Sequence, residues 1–266
     1  MTSVELETVR VEVREAVAWI TLNRPQALNA WTAPFAHELI TALDRCAENP
    51  AVRAVVITGA GRAFSSGTDL KSGDLIDEHG KPDVLTILRH SYNPLIMRVR
   101  ELPKPVVAAV NGVAAGIGCS LALAADLIVA AESAYFLLAF ANIGLGLDGG
   151  ASPLLVGRVG YARASEIALL ADRIPSTQAL DWGLINSVVA DVDLHSATAT
   201  LAEKLASGAP GSYSAIKQTL NRSAWPNLAE LLDFEAVLQQ ERATSADFME
   251  GMTAFQQKRP ASFTGN

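Results

Sequence analysis

Three short segments of the chain carry residue types whose spacing suits chemistry. The first is "GLGLDGG", residues 144–150. Its Asp148 is the only charged residue in the 25-residue run between Glu132 and Arg158. A carboxyl group held in apolar surroundings is harder to ionise, which makes it a better proton acceptor near neutral pH than a solvated one. The glycines on either side give the backbone the freedom to aim it. A bland alternative is that Asp148 caps a helix starting at Gly149. Against that, Ser152-Pro153 is itself a good N-cap and first-turn pair, and Gly-Gly is a poor first turn.

The second segment is "AFSSGTDL", residues 63–70, directly after the strand-like "AVVITG". Small residues and a glycine at a strand end let backbone N–H groups approach a ligand closely. The third is "NGVAAGIGCSLALAADL", residues 111–127, a glycine turn that opens a helix. Free N–H groups and the positive end of the helix dipole collect at such a place. A tight strand-to-helix connection packed by small residues explains the same letters. It is not a phosphate loop, since the closing Gly-Lys-Ser/Thr and the dinucleotide glycine spacing are both missing. Two turns that stabilise an anion, with one carboxylate, suit a carbonyl compound whose negative charge develops on oxygen.

The elements that must position these segments read as α/β. Two β-rich runs, "TVRVEVR" and "VAWITLN", open the chain around a turn at Glu15-Ala16. Thr32 to Glu48 has helical spacing, with Phe35, Leu39, Ile40 and Leu43 on one stripe. Strands and helices then alternate through "AVVITG", a helix near Val84–Val99, "PVVAAV" and "LIVAA", which predicts mostly parallel pairing. From residue 195 onward the pattern is helical, giving an expected division into a 1–194 core and a 195–266 helical region. Leu228, Leu231, Leu232, Leu238 and Phe248 give that region apolar faces to cover, against its own domain or a sister subunit.

Composition removes several classes of function. Twenty-one Lys and Arg against 28 Asp and Glu leave a net charge of −7, and no basic block offers a footprint for nucleic acid. Val106 to Ala125 is 20 residues without a charge, long enough for a membrane span, but Asn111-Gly112, Gly116 and Gly118 punctuate it. The two cysteines, Cys46 and Cys119, have no metal-ligand spacing and read as packed thiols. No disulfide framework is present, and "MTSVELETV" does not read as a signal peptide, so the expected location is the cytoplasm.

The stretches "TLNRPQALNA", "RIPSTQALDWGLINSVV" and "AFQQKRPASF", in that order with the three segments above, resemble the crotonase family, also called enoyl-CoA hydratase/isomerase. The resemblance covers nearly the whole length. It implies a spiral of ββα turns with a C-terminal helical trimerisation region, a homotrimer or dimer of trimers, and acyl-CoA thioesters as substrates with no separate cofactor or metal. The thioester oxygen would sit between two backbone N–H groups, those of Thr68 and Ile117. The nucleotide would be held by the backbone of Ala63, Phe64 and Ser66 and by Arg24. Phe255 and Lys258 correspond to residues that reach a neighbouring subunit's CoA, although a solvated tail charge explains Lys258 equally well.

The departures bear on the reaction. Hydratases of the family activate water with two glutamates, and this chain has Ser120 and Phe140 in their places, both implied to border the acyl pocket. Asp148 falls where several non-hydratase relatives keep an aspartate, and "AFANIGLGLDGG" looks most like the phenylacetate-type isomerases. Moving a double bond needs only one base that takes a proton from C2 and returns it to C4. The expected activity is therefore an enoyl-CoA isomerase with Asp148 as acid/base. Hydrolase or dehalogenase chemistry on the same Asp148, weak hydratase activity and plain acyl-CoA binding remain the alternatives.

Overall fold

The protein is described by a computed structural model covering residues 3–266. An antiparallel ribbon opens it: β1 (Ser3–Glu5), β2 (Val9–Arg14) and β3 (Val17–Leu22). Glu15 and Ala16, both at positive φ, make the tight turn that matches the strands' right-handed twist. From β3 on, pairing in this sheet is parallel, beginning with β4 (Ala54–Gly59) at Val17↔Ala54.

A ββα unit then repeats three times. Its first strand joins a seven-stranded sheet and its second joins a four-stranded sheet. The first unit is β4, β5 (Ala63–Ser65) and a helical stretch made of α2 (Val84–Ile87) and α3 (Asn93–Glu101). The second is β6 (Val106–Val110), β7 (Val113–Ala115) and α4 (Ile117–Ala124). The third is β8 (Leu127–Ala131), β9 (Tyr135–Leu137) and α5 (Ala151–Leu170). Strands β3, β4, β6 and β8 lie side by side in the large sheet and β5, β7 and β9 in the small one, so each turn of chain stacks on the last. This is the expected spiral. The uncharged run from Val106 to Ala125 is spent on strand, turn, strand and an eight-residue helix, and no helix among the described residues is long and apolar enough to cross a membrane.

Helix α1 (Ala33–Glu48) is capped by the Thr32 hydroxyl on Phe35 N–H and buries Phe35, Leu39 and Leu43, while Ile40 stays at the edge. Between α2 and α3 the five residues Leu88–Tyr92 form a π-helical turn. After α5 the chain continues through β10 (Ile174–Pro175), α6 (Ser176–Asp181) and β11 (Ser187–Val189), which pairs in parallel with β8.

Four helices close the chain: α7 (Leu194–Ser207), α8 (Pro210–Ala224), α9 (Leu228–Ala243) and α10 (Ala246–Gln257). Helix α7 lies on the seven-stranded sheet, so the switch to helix near residue 195 changes secondary structure without leaving the core layer. Helix α9 packs on α2, the π turn and α3 of its own chain, burying Leu228 and Leu232. Leu238, whose apolar face was expected to be covered by its own domain or a sister subunit, is exposed on the single chain, along with Phe234 and Val237.

Candidate active site

A cavity of about 310 Å3 lies where the loop after β5, the start of α4, the segment after β9 and α10 meet. Its floor is two glycine turns in contact. Gly67 has φ +91°, and a Cβ there would sit 2.9 Å from the Ala115 carbonyl oxygen and 3.6 Å from Gly116 Cα. A side chain at Gly67 therefore does not fit, whereas Gly116 is favoured by its backbone conformation, φ +51°, a Cβ there meeting only Gly67 Cα at an ordinary 3.9 Å. The residues that follow are Thr68 and Ile117, so the juxtaposition brings the two expected donors together.

Both N–H groups are open. Trp31 N–H donates to the Gly67 carbonyl and Asp69 N–H donates to the Trp31 carbonyl, each at 2.8 Å. That pairing consumes the residues flanking Thr68 and leaves its own N–H on the other edge. Ile117 is the first residue of α4, behind a glycine with no side-chain cap. An N–H in a helix's first turn has no intrahelical acceptor. Neither group has a hydrogen-bond acceptor among the described residues.

Asp148 borders the same cavity. Gly149, at φ +62°, lets it come this close, because a Cβ there would lie 2.1 Å from Ile117 Cδ1. The Ser120 hydroxyl donates to the Asp148 carbonyl at 3.0 Å and pins the loop to α4. The Asp148 side chain is 6% exposed; its Oδ2 accepts from Gln239 Nε2 at 2.9 Å, and its Oδ1 has no partner. Burial pushes its pKa up to about 7, the Gln239 hydrogen bond pulls it down, and the nearby Glu235 charge adds to the rise.

Asp148 is not a helix cap. Helix α5 begins at Ala151 behind Gly150, two residues earlier than a Ser152-Pro153 start would give. Glu235, reaching over from α9, accepts from Gly150 N–H at 2.7 Å and from Ser152 N–H at 2.8 Å. A carboxylate supplied through tertiary contact thus does the work expected of a local Ser cap.

Of the residues singled out in the sequence, the cavity gathers Ser66, Thr68, Ile117, Phe140, Asp148 and Phe255. The other five lie outside its lining. Ser120 sits beneath Asp148, fully buried, so its place is behind the pocket wall and not in it. Ala63 and Phe64 are interior residues of β5, and the Ala63 carbonyl is taken by the Asn29 side-chain amide at 2.8 Å. Arg24 is committed to Asp69 at 3.0 Å and to the Ala30 carbonyl at 2.5 Å. Lys258 is exposed at the left-handed C-cap of α10. Phe255, matched to a residue reaching a neighbouring subunit, here rims the cavity of its own chain.

Sequence reading missed Gln239, Glu235 and Tyr92. Glu235 and Gln239 continue the stripe of Leu228 and Leu232 along α9, and polar residues on an apolar stripe were the available signal. Tyr92 comes from the π turn. Its hydroxyl donates to the Trp31 carbonyl at 3.3 Å and lies beside the Thr68 side chain, and burial raises its pKa far enough to keep the phenol neutral.

Most of the remaining wall is apolar, including Leu70, Leu75, Val84, Ile87, Leu137 and Leu145, with Asn142 and Arg259 as polar members. Such a site can hold an apolar group, bind an oxyanion at the floor and exchange a proton through Asp148.

Residues 12–266 match the family model described as enoyl-CoA hydratase/isomerase. The chain is 44% identical to a probable enoyl-CoA hydratase of Rhodobacter capsulatus, over 97% of this chain and 98% of that one. It is 39% identical to the 1,2-epoxyphenylacetyl-CoA isomerase of Escherichia coli K12, over 98% and 99%. The crystal structure of an enoyl-CoA hydratase from Mycobacterium avium subsp. paratuberculosis K-10 superposes with a TM-score of 0.88 at 37% identity, covering 98% of this chain and 100% of that one. Matched end to end in sequence and in fold, the chain belongs to the enoyl-CoA hydratase/isomerase, or crotonase, family.

Proposed function

We propose that this protein is an enoyl-CoA isomerase that shifts a double bond along an acyl-CoA thioester. The thioester oxygen is held by the N–H groups of Thr68 and Ile117. Asp148 takes the proton from C2, the electron pair passes to the thioester oxygen as a dienolate, and the same carboxyl returns the proton at C4. No atom is gained or lost, and CoA enters only as part of the substrate. Each backbone donor is worth about 3–4 kcal/mol toward a developing oxyanion.

One observation carries this reading: a single buried carboxyl with an unpartnered oxygen borders the cavity beside the two open N–H groups. Its pKa near 7 suits a group that must both accept and return a proton. Hydration needs a held and activated water. The Ser120 hydroxyl is spent on the Asp148 carbonyl, and Phe140 presents only an aromatic ring. Relatives named hydratase and isomerase are both similar to this chain, so identity does not choose between them.

The deciding experiment offers 3-enoyl-CoA and 2-enoyl-CoA substrates to the purified protein in deuterated water. Double-bond migration supports the isomerase, and any deuterium entering the acyl chain measures how far the proton held on Asp148 exchanges with solvent before it is returned. Efficient hydration of the 2-enoyl-CoA overturns it, and binding with neither migration nor exchange makes the protein a carrier. We also propose a cytoplasmic homotrimer or dimer of trimers, with the exposed Phe234, Val237 and Leu238 of α9 among the surfaces covered. Sedimentation as a monomer at micromolar concentration overturns that assembly and with it any role for Lys258 at a neighbour's CoA.

A further inference from the structure

We propose that Gln239 is the positioning residue that decides which oxygen of Asp148 carries the transferred proton, so that α9 is part of the catalytic apparatus. The proposal rests on the reading of Asp148 as the acid/base.

Gly146 anchors the arrangement. Its backbone N–H can only donate, and it donates to Gln239 Oε1 at 2.9 Å. That contact fixes the orientation of the side-chain amide, because the NH2 group must then point the other way. It points at Asp148 Oδ2, 2.9 Å away, and an NH2 group can only donate. Oδ2 is therefore held as an acceptor whether Asp148 is charged or neutral. When the carboxyl takes up a proton, the proton goes to Oδ1, the oxygen with no partner. One buried amide, anchored two residues before Asp148, thus selects the reactive oxygen.

The rest of α9 reinforces this. Glu235, one turn earlier, grips Gly150 and Ser152 on the far side of Asp148. The catalytic loop is held from both flanks by one helix face. The charged and titratable groups that act on Asp148 are Glu235 from α9 and Tyr92 from the π turn; Arg259 after α10 lines the same cavity, with its guanidinium paired with Glu250 at 2.6 Å. Helix α4 carries no charged side chain, and its one titratable group is the buried Cys119 thiol beside the Leu137 backbone.

The test uses two variants of the full-length protein. Gln239→Met removes both hydrogen bonds at similar volume. Gln239→Glu keeps the acceptor for Gly146 but sets a second carboxyl against Oδ2. Turnover is expected to fall about tenfold or more in both, with KM within about twofold, and the acidic limb of the rate profile should move up by about one pH unit in Gln239→Met and further in Gln239→Glu. A purely structural role would change thermal unfolding and leave the pH limb in place, and that result in a folded variant overturns the proposal. Carbon-13 NMR titration of the Asp148 carboxyl, assigned with Asp148→Asn, gives a readout independent of turnover. An upward shift in Gln239→Met supports the positioning role even if no isomerase activity is found, and an unshifted titration overturns it.

Discussion

The two ends of α4 treat buried polar groups in opposite ways. At the C-terminal end, Arg158 donates to the Leu123 and Ala125 carbonyls and Arg100 to the Ala124 carbonyl. Asp126 balances these cations, accepting from Arg100 at 3.2 Å and from Lys217 at 2.8 Å. Asn221 accepts from Arg100 as well, and Trp225 stacks under its guanidinium at 4.6 Å. Burial lowers Arg158 to about 10, which still leaves it charged at neutral pH. At the N-terminal end, two N–H groups and one carboxylate oxygen are left without partners. A buried polar group without a partner costs about 1–3 kcal/mol, so the protein gives up stability at one end, while at the other Arg100 Nε is the one side-chain atom of this cluster left unpartnered among the described residues. The open end is where a ligand can supply what is missing. The closed end holds the helix that carries it.

This contrast predicts different failures. The largest should follow Asp148→Asn, which is expected to lose about 10²–10⁴-fold in isomerase turnover while still binding acyl-CoA. Wild-type turnover in that variant would break the contrast outright. Stability should move the other way. Asp148 takes up its proton more readily when folded than when unfolded, so between the unfolded carboxyl value near 4 and about 7 the folded state holds more protons and stability falls as pH rises. Asp148→Asn removes that cost, at most about 4 kcal/mol, so its thermal midpoint should exceed wild type at pH 8 and approach it at pH 4. Parallel melting curves at the two pH values check this.

Asp126→Ala tests the other end. It strands two buried cations and should cost about 3–5 kcal/mol in urea unfolding, with turnover of the folded fraction little changed. A loss of turnover without a loss of stability would mean that the two ends are not separable.

Thr68→Ala keeps the backbone donor and should retain most activity, whereas Thr68→Pro removes the N–H and should lose about 10²–10³-fold. Equal losses in both would assign the role to the hydroxyl beside Tyr92 instead.

The smallest effect is expected at Glu235. Glu235→Gln leaves one acceptor for two N–H groups and should cost about 1–2 kcal/mol of stability. It also removes a negative charge near Asp148, so the acidic limb of the rate profile should move down, opposite to the shift expected for the Gln239 variants. A shift in the same direction would show that loop disorder, not charge, controls Asp148.

Local rules account for much of what the sequence determined. The strand-helix alternation, the stripe on α1 and the Glu15-Ala16 turn depend on neighbours in the chain, and all are where periodicity and turn chemistry put them. Gly67 was legible as a place of close backbone approach, Gly116 as part of a turn opening a helix and Gly149 as freedom to aim Asp148, which stood out as a lone carboxylate in an apolar run. Tertiary structure decided what those features face. Gly67 meets Gly116 only because the first two ββα turns stack, so the pairing of Thr68 with Ile117 is a product of the spiral. The cap of α5 comes from Glu235, some 80 residues onward, which overrides the local Ser152-Pro153 signal. Arg24, free in the sequence, is bound to Asp69 once β5 and its loop close over it. Gln239 could not be picked out from "LQQERA", because a glutamine becomes informative only when its amide is fixed by one distant backbone group and aimed at another distant side chain. The sequence therefore specified the parts that depend on backbone freedom and hydrophobic period, and long-range contacts settled which polar groups were satisfied and which stayed open.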